Sequence, residues 1–217
     1  MTETHKDNSR LIIDNTLVHS LLSIQFPQWA NLSVRPVARS GWDNRTFHLG
    51  DDMLVRMPSA EKYASQVEKE QRWLPKLVPS LPLSVPEPLA IGEPRDGYPY
   101  HWSIYRWIEG DIATNDRIGN LSVFATDLAQ FLVALQSIDT ANGPLPGWHS
   151  FYRGGSLTNY DDEVRQAIDA LSERIDTRLA TEVWEAALDA AWNRPPVWVH
   201  GDVSAGNLLV RDGRLGG

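Results

Sequence analysis

Near its C-terminal end the chain places two apolar, β-forming runs, residues 197–199 and 208–210, on either side of the polar stretch His200-Gly-Asp-Val-Ser-Ala-Gly-Asn207. Val197, Trp198 and Val199 follow the Pro195-Pro196 break, and Leu208, Leu209 and Val210 resume an apolar run. The pattern predicts strand, tight loop, strand. A loop held in that way fixes its side chains at the edge of a sheet. His200 stands two residues before Asp202, and four residues separate Asp202 from Asn207. A carboxylate that can face an attacking hydroxyl, beside a neutral oxygen that can ligate a hard cation, suits one class of chemistry. The same residues also suit an ordinary connecting turn, because Asp, Gly and Asn are all turn formers.

Composition narrows the rest mainly by exclusion. With 217 residues the chain can bury a substantial core as one domain or as two small lobes. A net charge of -8 argues against nucleic acid and anionic membranes as partners, and is compatible with a cationic substrate. The absence of cysteine removes disulfides and thiolate chemistry. Residues 1–10 are polar, with no apolar region behind a basic start, and no apolar run reaches the ~20 residues of a membrane span. The expectation is a cytoplasmic protein. No H-E-x-x-H pair, Gly-x-Ser-x-Gly elbow or Walker loop occurs. A metallophosphoesterase would use His-Gly-Asp and Gly-Asn as metal ligands, but it also needs an earlier Asp-x-His, which is absent.

Taken in order, Asp14 predicts a cap for a short helix with Val18, Leu21 and Leu22 on one face, ending near Pro27. Strands are expected over 32–37, 45–49 and 53–57, separated by turns at 40–44 and 50–52. Arg56 interrupts the otherwise apolar third strand, where it could also be an edge residue facing solvent. A helix is expected over 59–74, with Ser59 as cap and Pro75 as its end or kink. Tyr63, Val67, Glu70 and Leu74 share one face of it. Glu70 then either faces water at the margin of that stripe or needs a basic partner, for which Arg56 is the obvious candidate. After a proline-punctuated connection over 79–88, strands at 87–93 and 100–108 form a hairpin about Arg95-Asp-Gly97. A strongly apolar helix follows over 121–138, then a long loop over 140–160, then helices over 161–176 and 181–192.

His-Gly-Asp followed four residues later by Asn-Leu-Leu-Val resembles the catalytic loop of the aminoglycoside phosphotransferase family, the small-molecule branch of the protein-kinase-like fold. The resemblance covers most of the chain, from about Leu32 onward. It implies an α+β, two-lobed fold: an antiparallel five-stranded N-lobe with one helix over residues 1–108, and a mainly helical, incomplete C-lobe over 109–217. The implied activity is transfer of the γ-phosphoryl group of ATP, with Mg2+, to a hydroxyl of a small molecule. Asp202 would be the catalytic base, with His200 beside it, and Asn207 the magnesium ligand. Arg56, paired with Glu70, would hold the nucleotide's phosphates beneath the hairpin of Gly41 to Asn44. Tyr105, Arg106 and Trp107 would offer backbone groups to adenine. The acceptor pocket would draw on Trp148, Tyr152, Tyr160, Asp161 and Asp162, although negative charge at a helix N-terminus explains the two aspartates equally well.

The pattern breaks after Asn207. Asp212-Gly213 is a hairpin turn, yet only Arg214 to Gly217 remain to return, and the Asp-Phe-Gly-type motif that would supply a second magnesium ligand is missing. The expectation is a chain truncated before that motif. The alternative is a catalytically inactive nucleotide-binding or interaction module of the same fold.

Overall fold

Asp14 caps α1 (Asn15–Gln25), its carboxylate accepting the Leu17 N–H at 2.9 Å, and the helix turns Val18, Leu21 and Leu22 inward. The computed structural model describes residues 11–38, 41–95 and 97–217. The polar N-terminal stretch, Ser40 of the first expected turn and Asp96 of the later one lie outside the described residues. The chain divides into two compact units, Met1–Phe131 with Ser204–Gly217, and Leu132–Val203.

The first unit is built on an antiparallel sheet of five strands: β1 (Val34–Pro36), β2 (Asn44–Leu49), β3 (Met53–Pro58), β4 (Pro88–Gly92) and β5 (Trp102–Arg106). Their spatial order is β1-β2-β3-β5-β4. β1 is an edge strand and shorter than expected, which is where its Pro36 does least harm. Side chains alternate across the strands. Phe47, Leu49, Val55, Met57, Trp102 and Ile104 point one way and form a core with α1. Full burial of residues of this size stabilises by about 1.5–3 kcal/mol each. Gly92 allows the Trp102 ring to lie against the backbone of β4, since a Cβ there would stand 2.0 Å from it.

The opposite face carries α2 (Glu61–Leu77), which departs from expectation at both ends. Ala60, not Ser59, occupies the cap position. Ser59 Oγ instead donates to the carbonyls of Trp42 at 2.7 Å and Asp43 at 3.1 Å, so its side chain stabilises the loop after β1 rather than the helix. Pro75 neither ends nor breaks α2. It falls in the last turn, where a missing N–H costs one hydrogen bond, and a 3-10 turn (Val78–Ser80) follows.

A second, three-stranded antiparallel sheet completes this unit: β6 (Asp111–Ile112), β7 (Leu209–Arg211) and β8 (Arg214–Leu215). Asp212 and Gly213 both take positive φ, +52° and +78°, as a two-residue hairpin requires. The short return of Arg214 and Leu215 is therefore enough to close it. Ala113, Leu208, Val210 and Leu215 pack with Phe124 of α3 (Leu121–Gln136). Arg214 clasps Asp127 on that helix through three contacts of 2.7–3.2 Å.

In the second unit the loop after α3 contains two 3-10 turns, Trp148–Ser150 and Leu157–Tyr160. Two helices follow, α4 (Asp161–Ala170) and α5 (Thr177–Asp189). Both were expected with other limits, 161–176 and 181–192. The reason is Asp176, which begins a helix instead of ending one: its carboxylate accepts the Leu179 N–H at 3.0 Å. Residues 197–199 form no strand either. β-propensity needs a partner to act on, and among the described residues β7 pairs with β6 and β8. Trp198 instead donates its Nε1–H to the Asp139 carbonyl at 3.0 Å.

Candidate active site

In the first unit the alternation that buries Val55 and Met57 turns Arg56 to the α2 face, directly across from Ser103 of β5. The helical spacing that buries Val67 brings Glu70 to meet it, and Arg56 Nη2 donates to Glu70 Oε1 at 3.2 Å. Both side chains are partly buried, 29% and 20% exposed. Glu70 thus faces inward with the expected basic partner. The second oxygen, Oε2, accepts the hydroxyl of Tyr105, and the Arg56 guanidinium lies 5.6 Å from the centre of the Tyr105 ring. Burial works against the charge of Arg56. Glu70, Tyr105 and Asp43 outweigh that and hold its pKa above the ordinary value. Lys69, next to Glu70, is pushed down by burial despite its neighbour. The result is a fixed cation on a central strand. Glu70 engages one of its nitrogens, and a guanidinium has five N–H donors, so donors remain for an anion.

Gly41 leads the loop into β2, with open space where a Cβ would stand, and its carbonyl accepts Arg45 Nη1 at 3.3 Å. Asn44 begins β2 opposite Pro58. At the far end of β5, Arg106 N–H donates to the Glu87 carbonyl at 3.0 Å and Trp107 N–H to the Asp52 carbonyl at 2.8 Å. These two amides already serve the sheet, so an adenine edge would have to use other backbone groups there. The side chain of Tyr105 is directed to Glu70, Arg106 pairs with Glu87 at 2.7 Å, and the Trp107 ring lies tilted against His48, 4.2 Å between ring centres.

Within the His200–Asn207 loop, Asn207 belongs to the first unit, in a 3-10 turn (Ala205–Asn207) leading into β7, and it is exposed. His200 and Asp202 belong to the second. The Asp202 N–H donates to His200 Nδ1 at 3.3 Å, which makes Nδ1 the unprotonated nitrogen. Partial burial lowers the His200 pKa, Asp202 opposes the shift and Arg153 adds to it. The Asp202 carboxylate faces Arg153 at 3.5 Å, an exposed pair worth about 0–1 kcal/mol.

Arg153 was not expected from the sequence. Its place depends on Phe151 and Tyr152, consecutive aromatics at φ +51° and +58°, a conformation that persists only where surroundings enforce it. Hydrogen bonds do so here: Phe151 N–H to Trp148, Tyr152 N–H to Gly147, Arg153 N–H to Ser150, and the Tyr160 hydroxyl to the Phe151 carbonyl. Gly201, at φ +80°, leaves room for the Arg153 stem, which would lie 3.1 Å from a Cβ.

The expected acceptor residues separate by role. Trp148 is 70% exposed and lies 6.2 Å from Phe151 between ring centres, while Tyr160 secures the loop. Asp161 Oδ1 accepts from Trp184 Nε1 at 2.7 Å and pairs with Arg165 at 2.8 Å, contacts that hold α4 to α5 and depress its pKa. Asp162 is exposed at the α4 N-terminus.

The fold has relatives among solved structures. Wild-type aminoglycoside 2'-phosphotransferase-IIIa in its GDP complex superposes with a TM-score of 0.62 at 22% identity, covering 94% of this chain and 71% of that one. The streptomycin–ATP–APH(2")-IIa ternary complex gives 0.58 at 20% identity, over 94% and 69%. The macrolide 2'-phosphotransferase MphH from Brachybacterium faecium gives 0.58 at 21% identity, over 93% and 69%. At such identities the likeness establishes the fold, which is protein-kinase-like. No curated protein matches the sequence. The sequence profile of the phosphotransferase enzyme family (APH), by contrast, matches residues 33–217, a span that includes both the Arg56–Glu70 pair and the His200–Asn207 loop, and the chain belongs to this family.

Proposed function

We propose that this protein is an ATP-dependent, cytoplasmic phosphotransferase that moves the γ-phosphoryl group to a hydroxyl of a small molecule, aminoglycoside-like or related. The observation that carries the reading is the Arg56–Glu70 pair at 3.2 Å, on the strand and the helix that flank a nucleotide's phosphates in enzymes of this kind. Nucleotide use is further supported by the similar structures described as GDP and ATP complexes.

On this reading Arg56 binds phosphate oxygens with the donors that Glu70 leaves available, and Glu70 sets the direction of the guanidinium. Asp202 accepts the acceptor hydroxyl's proton as that oxygen bonds to the γ-phosphorus and the bond from phosphorus to the bridging oxygen breaks, ADP leaving with that oxygen. His200, with Nδ1 occupied by the Asp202 amide, holds the loop and contributes no charge at neutral pH. Asn207 supplies one neutral oxygen for magnesium. A neutral amide oxygen suits a hard cation that keeps most of its other oxygen ligands from outside the protein, so Asn207 would be one ligand among several. Such an ion neutralises the charge developing on the transferred group. The other groups act by position and by charge.

The test is label transfer from γ-labelled ATP, or GTP as comparison, to a panel of aminoglycosides, macrolides, sugars and amino alcohols. Acceptor-dependent label that is lost in Arg56→Ala supports the reading. Nucleotide binding with no transfer to any acceptor class contradicts it.

A further inference from the structure

Strand β5 and the residue before it, His101, alternate in direction. Trp102 and Ile104 enter the core beneath α1, whereas His101, Ser103 and Tyr105 stand on the face that carries α2. Each of the three grips that helix within a single turn. His101 Nδ1 meets Glu68 Oε1 at 3.2 Å, Ser103 Oγ accepts from Gln71 Nε2 at 3.0 Å, and the Tyr105 hydroxyl donates to Glu70 Oε2. Gln71 Nε2 also reaches the Ala90 carbonyl of β4 at 2.9 Å. The helix is therefore registered on the sheet by polar contacts centred on the residue that directs Arg56.

We propose that the Tyr105 hydroxyl is a positioning group for nucleotide binding, acting through Glu70 on Arg56; the inference rests on the phosphate-binding role given to Arg56 above. A carboxylate held by one oxygen can still turn about its last torsion. Glu70 is held by both, Oε1 by Arg56 and Oε2 by Tyr105, so its plane is set. Tyr105 is 1% exposed, and its ring, beneath the guanidinium, has no freedom to follow a moving partner. Burial and the adjacent Glu70 push its pKa upward, so the phenol keeps its proton and remains a donor at every physiological pH.

The test uses the full chain and a four-member set: the unaltered protein, Tyr105→Phe, Glu70→Gln and the double variant. Tyr105→Phe keeps the ring and removes only the hydroxyl. A hydrogen bond to a charged group corresponds to about tenfold in affinity, so the Kd for Mg·ATP should rise about tenfold while the acceptor KM stays unchanged. In the double variant the Tyr105 change should add little to the Glu70→Gln effect, because the two groups act in series. His101→Ala, which removes the contact between the sheet and Glu68 of α2, should not move the nucleotide Kd. An unchanged Kd in Tyr105→Phe, or full additivity in the double variant, overturns the proposal while leaving the phosphotransferase reading intact. Should Tyr105→Phe fail to fold by circular dichroism, an unchanged Kd in Glu70→Gln overturns it equally. Failure of the unaltered protein to bind Mg·ATP contradicts both.

Discussion

Glu70→Ala is the substitution whose cost the structure fixes best. It removes the acceptor of the Tyr105 hydroxyl, a donor on a residue 1% exposed, and leaves the 29%-exposed Arg56 side chain without its ion pair. A buried donor without an acceptor costs about 1–3 kcal/mol. A broken ion pair of intermediate burial lies between the ~0–1 kcal/mol of an exposed pair and the ~3–5 kcal/mol of a fully buried one. The two losses share one carboxylate and do not add in full, so the expected destabilisation is about 3 kcal/mol. At a urea slope of about 2 kcal/mol/M, the unfolding midpoint should fall by roughly 1.5 M with little change of slope. Adding Arg56→Met to Glu70→Ala removes the stranded cation and should restore at least part of that loss. A Glu70→Ala midpoint within about 0.25 M of the unaltered chain, or no recovery in the double variant, would refute the claim that this carboxylate anchors both Arg56 and Tyr105.

Two further expectations follow from other parts of the molecule. Gly92→Ala forces a Cβ to within 2.0–2.5 Å of the buried Trp102 ring, and should destabilise by about 1–3 kcal/mol or more, read by urea unfolding; a neutral result would mean that β4 moves away freely. His200 is held below its ordinary pKa, chiefly by burial, so between its folded pKa and about 6.5 the unfolded chain binds the proton more readily. Its contribution to stability is thus present above about pH 6.5 and lost as pH falls through the folded pKa; comparison of unfolding at pH 7.5 and 5.5 should show this loss, and His200→Gln should reduce it.

What the sequence revealed was local chemistry and period. The spacing of His200, Asp202 and Asn207 suggests a phosphotransfer-type loop, which is part of the proposal, and the helical stripe carrying Val67 and Glu70 predicts the basic partner that the structure supplies, because a carboxylate turned inward needs one. The pairing of Arg56 with Glu70 needed only the two periodicities, alternation on the strand and three-to-four spacing on the helix. Features that depend on distant partners were hidden. Residues 197–199 have strand propensity, but propensity names no partner, and β7 takes β6 and β8 instead. Ser59 and Asp176 are both good capping residues; which of them caps depends on the neighbouring backbone, and Ser59 is drawn to the carbonyls of Trp42 and Asp43. An aromatic such as Tyr105 in a strand is usually core, so the sequence points to its backbone, and only its place in the sheet, opposite Leu54, brings its hydroxyl to Glu70. Arg153 had no signal at all, since it reaches Asp202 through two aromatic residues in left-handed conformation.

The central claim, that this fold performs phosphoryl transfer with Asp202 as the base, is tested most directly by the turnover of Asp202→Asn with Mg·ATP and an accepting hydroxyl compound. Asparagine keeps the shape of the loop and cannot take the hydroxyl proton. The account predicts a fall in kcat of ~10²–10⁴, with nucleotide affinity essentially unchanged. Turnover equal to that of the unaltered protein would contradict it.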